Sequence, residues 1–129
     1  MASSRAMTAP SVTLYGIANC DTVKKSRAWL LEHGAAVHFH DFRKAGVPPD
    51  HLRHWIDAVG WERLLNRQGT TWRKLDAGTQ AAVVDAASAA ALLQAHASAI
   101  RRPVIEWDVG ASAVTVGFAP ADWRALLAR

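Results

Sequence analysis

The alternation of apolar and polar side chains changes period repeatedly along the chain. Val12-Thr-Leu-Tyr-Gly-Ile17 is a β-branched and aromatic run that ends in the small-residue loop Ala18-Asn19, and it predicts a strand. From Cys20 or Asp21 onward, Val23, Ala28, Trp29, Leu30 and Leu31 give a helical pattern that stops at Gly34. Val37-His-Phe-His-Asp-Phe42 alternates as a half-buried strand should, and a turn follows at Gly46-Val-Pro-Pro49. This β-α-β opening favours a parallel pair joined by a right-handed crossover.

The middle is helical. Asp50 is placed to cap a helix that carries Leu52, Trp55, Ile56 and Val59 and closes at Gly60. A short segment from Trp61 to Leu65 leads into a loop, Asn66 to Thr71, and then to Trp72-Arg-Lys-Leu75. Residues 79–98 are dominated by alanine, the best helix former, with Val83, Val84, Leu92 and Leu93 as anchors, so one or two packed helices are expected. After Arg101-Arg102-Pro103, Val104-Ile-Glu-Trp107 and Ala113-Val-Thr-Val116 read as a hairpin across Asp108 to Ser112, and Ala119 to Leu127 as a terminal helix. The fold class is therefore α/β: a small sheet with a helical insertion.

Composition narrows the picture. The 129 residues are 50% hydrophobic and 20% charged, enough for one domain with its own core and no disulfides. Residues 1–11 are read as a small, polar tail and 12–129 as the domain, with the insertion over about 50–99. No apolar run approaches the roughly 18 residues of a membrane helix, and the first eleven residues lack the apolar stretch of a secretory signal. A single unpaired cysteine then favours the cytoplasm, and the chain is expected to be a monomer. The net charge of +4 comes from basic residues never more than two together, a pattern that suits small anionic substrates as well as nucleic acid. Six tryptophans are present, but Trp29, Trp55, Trp107 and Trp123 fall at core positions, which argues for packing over base stacking. His38 and His40 share a strand face and His51 and His54 a helix face; no acidic or cysteine ligand has diagnostic spacing nearby, so no metal site is expected.

The chemistry concentrates at Cys20, between the first strand and the first helix. Ligands of parallel α/β sheets collect at the carboxyl ends of strands, where unpaired N–H groups and the positive end of a helix dipole favour thiolate over thiol. Lys24, one turn along, can add a cation, whereas Asp21 opposes a neighbouring anion. The competing reading is a buried, inert cysteine. Val23 stands where a C-x-x-C motif has its second sulfur, so a reactive Cys20 must be resolved by another molecule's thiol, such as glutathione.

Tyr15-Gly-Ile-Ala-Asn-Cys-Asp-Thr-Val-Lys-Lys-Ser-Arg27, Gly69-Thr-Thr-Trp-Arg-Lys-Leu75, Asp85-Ala-Ala-Ser88 and Arg101-Arg-Pro-Val104 together resemble the arsenate-reductase-related family. Within it the chain is most similar to the YffB-type branch, whose members look like glutathione-dependent thiol reductases. The resemblance spans residues 12 to 129. It implies a thioredoxin-like mixed four-stranded sheet with a helical insertion between the second and third strands. It also implies that Cys20 is the nucleophile, that Pro103 is a cis-proline beside it, and that Arg102 faces the substrate oxyanion or carboxylate, for which its planar fork is suited. Arg67 falls near a second family arginine, with Asn66 and Gln68 as alternative occupants of that position, and Arg73 matches this branch. Lys24, Arg67, Arg73 and Pro103 are thus the expected substrate-binding residues. No bound cofactor is implied; glutathione is the expected co-substrate, with glutaredoxin as a further partner.

The chain also departs from arsenate reductases. They carry His-Asn-Pro before the cysteine's loop and glycine after the cysteine, where this chain has Gly16-Ile17-Ala18 and Asp21. A third arginine of those enzymes has no counterpart around Val116-Gly-Phe-Ala-Pro120. A glutathione-dependent thiol reductase is accordingly the leading reading. Arsenate reduction through the same sulfur and an Spx-type, non-catalytic RNA-polymerase-binding role are the alternatives.

Overall fold

A computed structural model describes residues 10–108 and 113–128 of the chain. β1 (Ser11–Gly16) lies inside a four-stranded sheet of order β2-β1-β3-β4, with β2 at Ala36–Asp41, β3 at Val104–Trp107 and β4 at Ala113–Val116. β1 pairs parallel with β2, Leu14 opposite Phe39, and antiparallel with β3, Leu14 opposite Ile105. β4 closes the sheet antiparallel to β3, Ile105 opposite Thr115. The sheet is mixed and has the strand count expected. The turn joining β3 to β4 falls on residues 109–112, outside the described residues, as does most of the N-terminal segment read as a tail.

The two-residue period sorts the strands into two faces. Val12 and Leu14 of β1 and Ile105 and Trp107 of β3 point to one face, packing with Val23 and Leu30 of α1 (Asp21–Glu32) and with Trp123 of α8 (Pro120–Leu127). Tyr15 and Val104 point to the other, beneath the helical insertion. Leu14, Val23, Leu30, Ile105 and Trp123 are fully buried. Each such side chain contributes about 1.5–3 kcal/mol relative to exposure.

The insertion begins earlier than its expected start near residue 50. Phe42, read as the end of the second strand, instead opens α2 (Phe42–Ala45), because Asp41 accepts the Arg43 N–H at 2.9 Å and caps a new turn. The next helix, α3, spans Pro49–Val59 with Pro48 as its N-cap. Asp50 is therefore not the cap. Proline is favoured at the first helical position, and this places Asp50 in the first turn, paired with Arg53. α4 (Trp61–Leu64) and α5 (Thr70–Arg73) follow, the latter within the segment read partly as loop. The alanine-rich stretch forms two helices, α6 (Ala77–Ala81) and α7 (Ala86–Ala95). Asp85 separates them: it accepts the Ser88 N–H while Ser88 Oγ accepts the Asp85 N–H, a reciprocal cap that starts α7 afresh. A 3₁₀ turn at Ala97–Ala99 then returns the chain to β3.

Candidate active site

Gly16 ends β1 where the chain must pass close beneath the first turn of α1. A Cβ at that position would lie 2.7 Å from Cγ2 of Val23. The glycine lets the helix start against the strand's carboxyl end, and the exposed Ala18-Asn19 loop carries the chain up to Cys20. Cys20 is the N-cap of α1 with extended backbone (φ −132°, ψ 123°), and its carbonyl accepts the Lys24 N–H at 2.9 Å. Cys20 is partly exposed rather than buried.

Opposite stands the segment that precedes β3. The Arg102–Pro103 peptide is cis, as expected, and Pro103 is buried directly behind Arg102. Arg102 Nη1 donates to the Ser98 carbonyl at 2.9 Å, while its Nε is buried without any hydrogen-bond partner. A buried N–H of a charged group left unpaired is costly, so its position has a purpose only if an acceptor arrives or forms there. Cys20 lines the same cleft, and Arg102 acts on the ionisation of its sulfur. Burial pushes the Cys20 thiol up, but the Val23 N–H, the hydrogen bond and charge of Arg102, and the Thr22 N–H outweigh it, and the net displacement is downward. Sγ closes no formal capping bond in α1; these donors act on its ionised form.

The sulfur opens into a cleft of about 290 Å³. Thr22, Arg101 and Arg102 line it beside Cys20, with Asn66 from the insertion and Gly117-Phe118 from the end of β4. Two of the expected site residues, Cys20 and Arg102, are thus brought together. Three are not. Lys24 is exposed on α1, Arg73 is exposed at the end of α5, and neither lines the cleft. Arg67 holds its guanidinium over the rings of Trp61 and Trp72, at 5.7 and 5.9 Å from their centroids.

The reason is register. Arg101 N–H donates to the Leu64 carbonyl and Asn66 N–H to the Ala99 carbonyl, both at 2.8 Å, and Leu65 bridges Ile100. These bonds fix the strand-like Leu65 and bring Asn66 into the cleft, with Arg67 turned outward. Among the three candidates for the second family position, Asn66 is the one that lines the cleft with Cys20.

At the other end of the sheet lies a polar cluster that the sequence reading did not foresee. Glu106 points under the insertion and accepts from Tyr15 Oη at 2.8 Å, Trp55 Nε1 at 2.7 Å and His51 Nδ1 at 2.6 Å. Burial pushes the Glu106 carboxyl up, but the bonds from His51, Trp55 and Tyr15 bring it below its ordinary value; burial and the Glu106 carboxylate raise Tyr15. Two of the four paired histidines are engaged in other bonds. His51 is engaged with Glu106 and His40 Nε2 with the Gly46 carbonyl at 2.8 Å. Among the described residues no group of three or more His, Cys, Asp or Glu is gathered as a metal site would need.

Comparison with known proteins agrees with this architecture. The solved structure of a YffB protein is similar at 46% identity and a TM-score of 0.83, covering 90% of this chain and 98% of that one. An arsenate reductase (ArsC) related protein from Brucella melitensis is 49% identical, with a TM-score of 0.68 over 89% of this chain and 92% of its own. An uncharacterized protein of Haemophilus influenzae is 36% identical over 117 residues, 91% of this chain and 99% of that one. At greater distance, the global transcriptional regulator Spx of Streptococcus pneumoniae is 22% identical over 120 residues, 92% of this chain and 86% of the regulator. The fold is thioredoxin-like. The ArsC family model matches residues 15–126, and on that match, which spans most of its length, the chain belongs to the ArsC family.

Proposed function

We propose that this protein is a thiol reductase in which the Cys20 thiolate attacks a disulfide and external glutathione regenerates the enzyme. The observation that supports it is the placing of Cys20 and Arg102 in one cleft: a partly exposed cysteine whose ionisation is favoured, beside an arginine whose buried Nε–H lacks a partner. Sγ bonds to one sulfur of the substrate as the S–S bond breaks, and the departing thiolate takes a proton from water. A glutathione thiolate then attacks the mixed disulfide and releases Cys20 as thiolate, stabilised again by Arg102 and the N-terminus of α1. No second cysteine exists in the chain, so the resolving thiol must come from outside, from glutathione or from glutaredoxin.

Turnover of 2-hydroxyethyl disulfide with glutathione, coupled to glutathione reductase, tests this directly. Cys20→Ser abolishes turnover while circular dichroism stays at the parental shape. Full activity in Cys20→Ser would overturn the proposal. The same assay with arsenate as oxidant separates oxyanion reduction through this sulfur from disulfide reduction. Similarity to the Spx regulators favours a second, non-catalytic reading. On it, binding to RNA polymerase persists in Cys20→Ser.

A further inference from the structure

β2 is an edge of the sheet, and among the described residues no strand lies beyond it. The Ala36 N–H donates to the Pro10 carbonyl at 2.7 Å, and the parallel register with β1 runs from Ser11 opposite Ala36 to Gly16 opposite Asp41. Alternate residues of a parallel strand bond toward the same neighbour. The backbones of Ala36, His38 and His40 therefore face β1, and those of Val37, Phe39 and Asp41 face outward. Such a row of outward N–H and C=O groups is a template for another strand, and Ala36–Asp41 has neither lysine nor proline to blunt it.

The same strand carries two metal-ligating side chains. His38 and His40 lie two apart and share a face. His38 is exposed. His40 is held in place, with its ring centroid 5.0 Å from that of Tyr15 and its Nε2 donating to the Gly46 carbonyl. A carbonyl only accepts, so Nε2 carries the proton and Nδ1 keeps its lone pair. A backbone carbonyl orients metal-binding imidazoles in this way. One chain offers two imidazoles, and a closed zinc site takes four ligands.

We propose that a divalent ion of zinc's type joins two copies of this chain edge to edge along β2, with His38 and His40 of each copy as its ligands. Antiparallel pairing with Phe39 opposite the second copy's Phe39 is the register that engages all three outward residues, since Val37 then meets the second copy's Asp41 and Asp41 its Val37. His38 falls opposite the second copy's His40, at a position without hydrogen bonds between the pair, where Cβ atoms lie about 4.5–5.5 Å apart. Twofold symmetry repeats the pair, and four imidazoles surround the axis on one face. The two Asp41 carboxylates lie at opposite ends of the pairing, each accepting its own Arg43 N–H. Six residues of edge bury far less than the roughly 1,200 Å² of a stable interface, so the dimer depends on the ion. Imidazoles without carboxylates favour zinc or copper over magnesium. The inference does not depend on the reductase reading.

Sedimentation velocity of the full chain in EDTA, in magnesium chloride and in zinc chloride tests it. The protein is a monomer in the first two and a dimer in the third, with one zinc bound per two chains. His38→Ala removes two of the four ligands and raises the zinc concentration for half-dimerisation by roughly tenfold or more, since losing a ligand costs at least as much as losing its supporting bond. Val37→Pro keeps both histidines and the pairing with β1, because the Val37 N–H points outward, and it weakens the zinc dimer by removing bonds between the copies. His54→Ala and Cys20→Ser leave the dimer unchanged. The inference is overturned by a chain that stays monomeric in zinc, by a dimer in EDTA, or by one zinc per chain. A zinc dimer that survives His38→Ala, is indifferent to Val37→Pro or is lost in Cys20→Ser overturns it equally.

Discussion

Replacing Glu106 by alanine removes the acceptor of three side-chain donors at once. One of them has nowhere else to turn: Trp55 is fully buried, whereas Tyr15 Oη, on a side chain 4% exposed, also lies 3.2 Å from His51 Nδ1. His51 is exposed and recovers its bond from water. A buried donor stripped of its acceptor costs about 1–3 kcal/mol. The cluster borders a cleft lined by Thr13, His51 and Glu106, so water reaches part of the vacated space and holds the cost near the lower end. The expected loss is about 1–2 kcal/mol, or roughly 5 °C in melting temperature for a domain of this size.

Urea denaturation followed by tryptophan fluorescence measures that loss, and its pH dependence carries the sign. Glu106 titrates below the ordinary glutamate value in the folded chain, so its contribution is present above that ordinary value and is lost as pH falls through the folded-state pKa. Parent and Glu106→Ala therefore differ most near neutrality and converge in acid. Because the cluster sits at the far end of the sheet from Cys20, thiol alkylation stays at the parental rate. A variant within about 0.5 kcal/mol of the parent at neutral pH would refute the view that Glu106 ties the insertion to the sheet.

Two further substitutions probe the frame of the site. Gly16→Ala forces a Cβ against Val23 Cγ2; it costs about 1–3 kcal/mol in urea unfolding and slows Cys20 alkylation, because the start of α1 must shift. Parental values in both measurements would show that the strand end tolerates a side chain. Leu93→Ala empties a fully buried position between α7 and the rest of the insertion and lowers stability by about 2–5 kcal/mol, read as a lower urea midpoint at unchanged slope.

Much of this architecture was legible in the chain because it is encoded locally. The alternation of Val12 and Leu14 against Tyr15 sets the faces of β1, and Gly34 marks the end of α1. The cysteine at a strand–helix junction and the arginine–proline pair before β3 announce the site through residue type and the family pattern. What the sequence hid depends on partners distant along the chain. Glu106 sits in an apolar strand, and its donors lie 91, 55 and 51 residues away. Nothing local distinguishes it from a solvated glutamate. The choice of Asn66 over Arg67 is made by backbone bonds to Ala99 and from Arg101, which turn the loop by one residue relative to the expected register. The early start of the insertion at Phe42 and the cap at Pro48 were missed for a smaller reason. Asp41 and Pro49 compete with Asp50 as helix starters, and proline's fixed φ and the Asp41 side-chain bond prevail.

The most direct test of the catalytic account is a pH titration of Cys20 reactivity, in the parent and in Arg102→Gln. Alkylation by iodoacetamide is followed from acid to alkaline pH. The parental thiol titrates below the ordinary cysteine value, and Arg102→Gln moves it upward, since the guanidinium's hydrogen bond and charge are lost while the Val23 and Thr22 N–H groups remain. A parental thiol that titrates at the ordinary value, or one that Arg102→Gln leaves unmoved, contradicts the account.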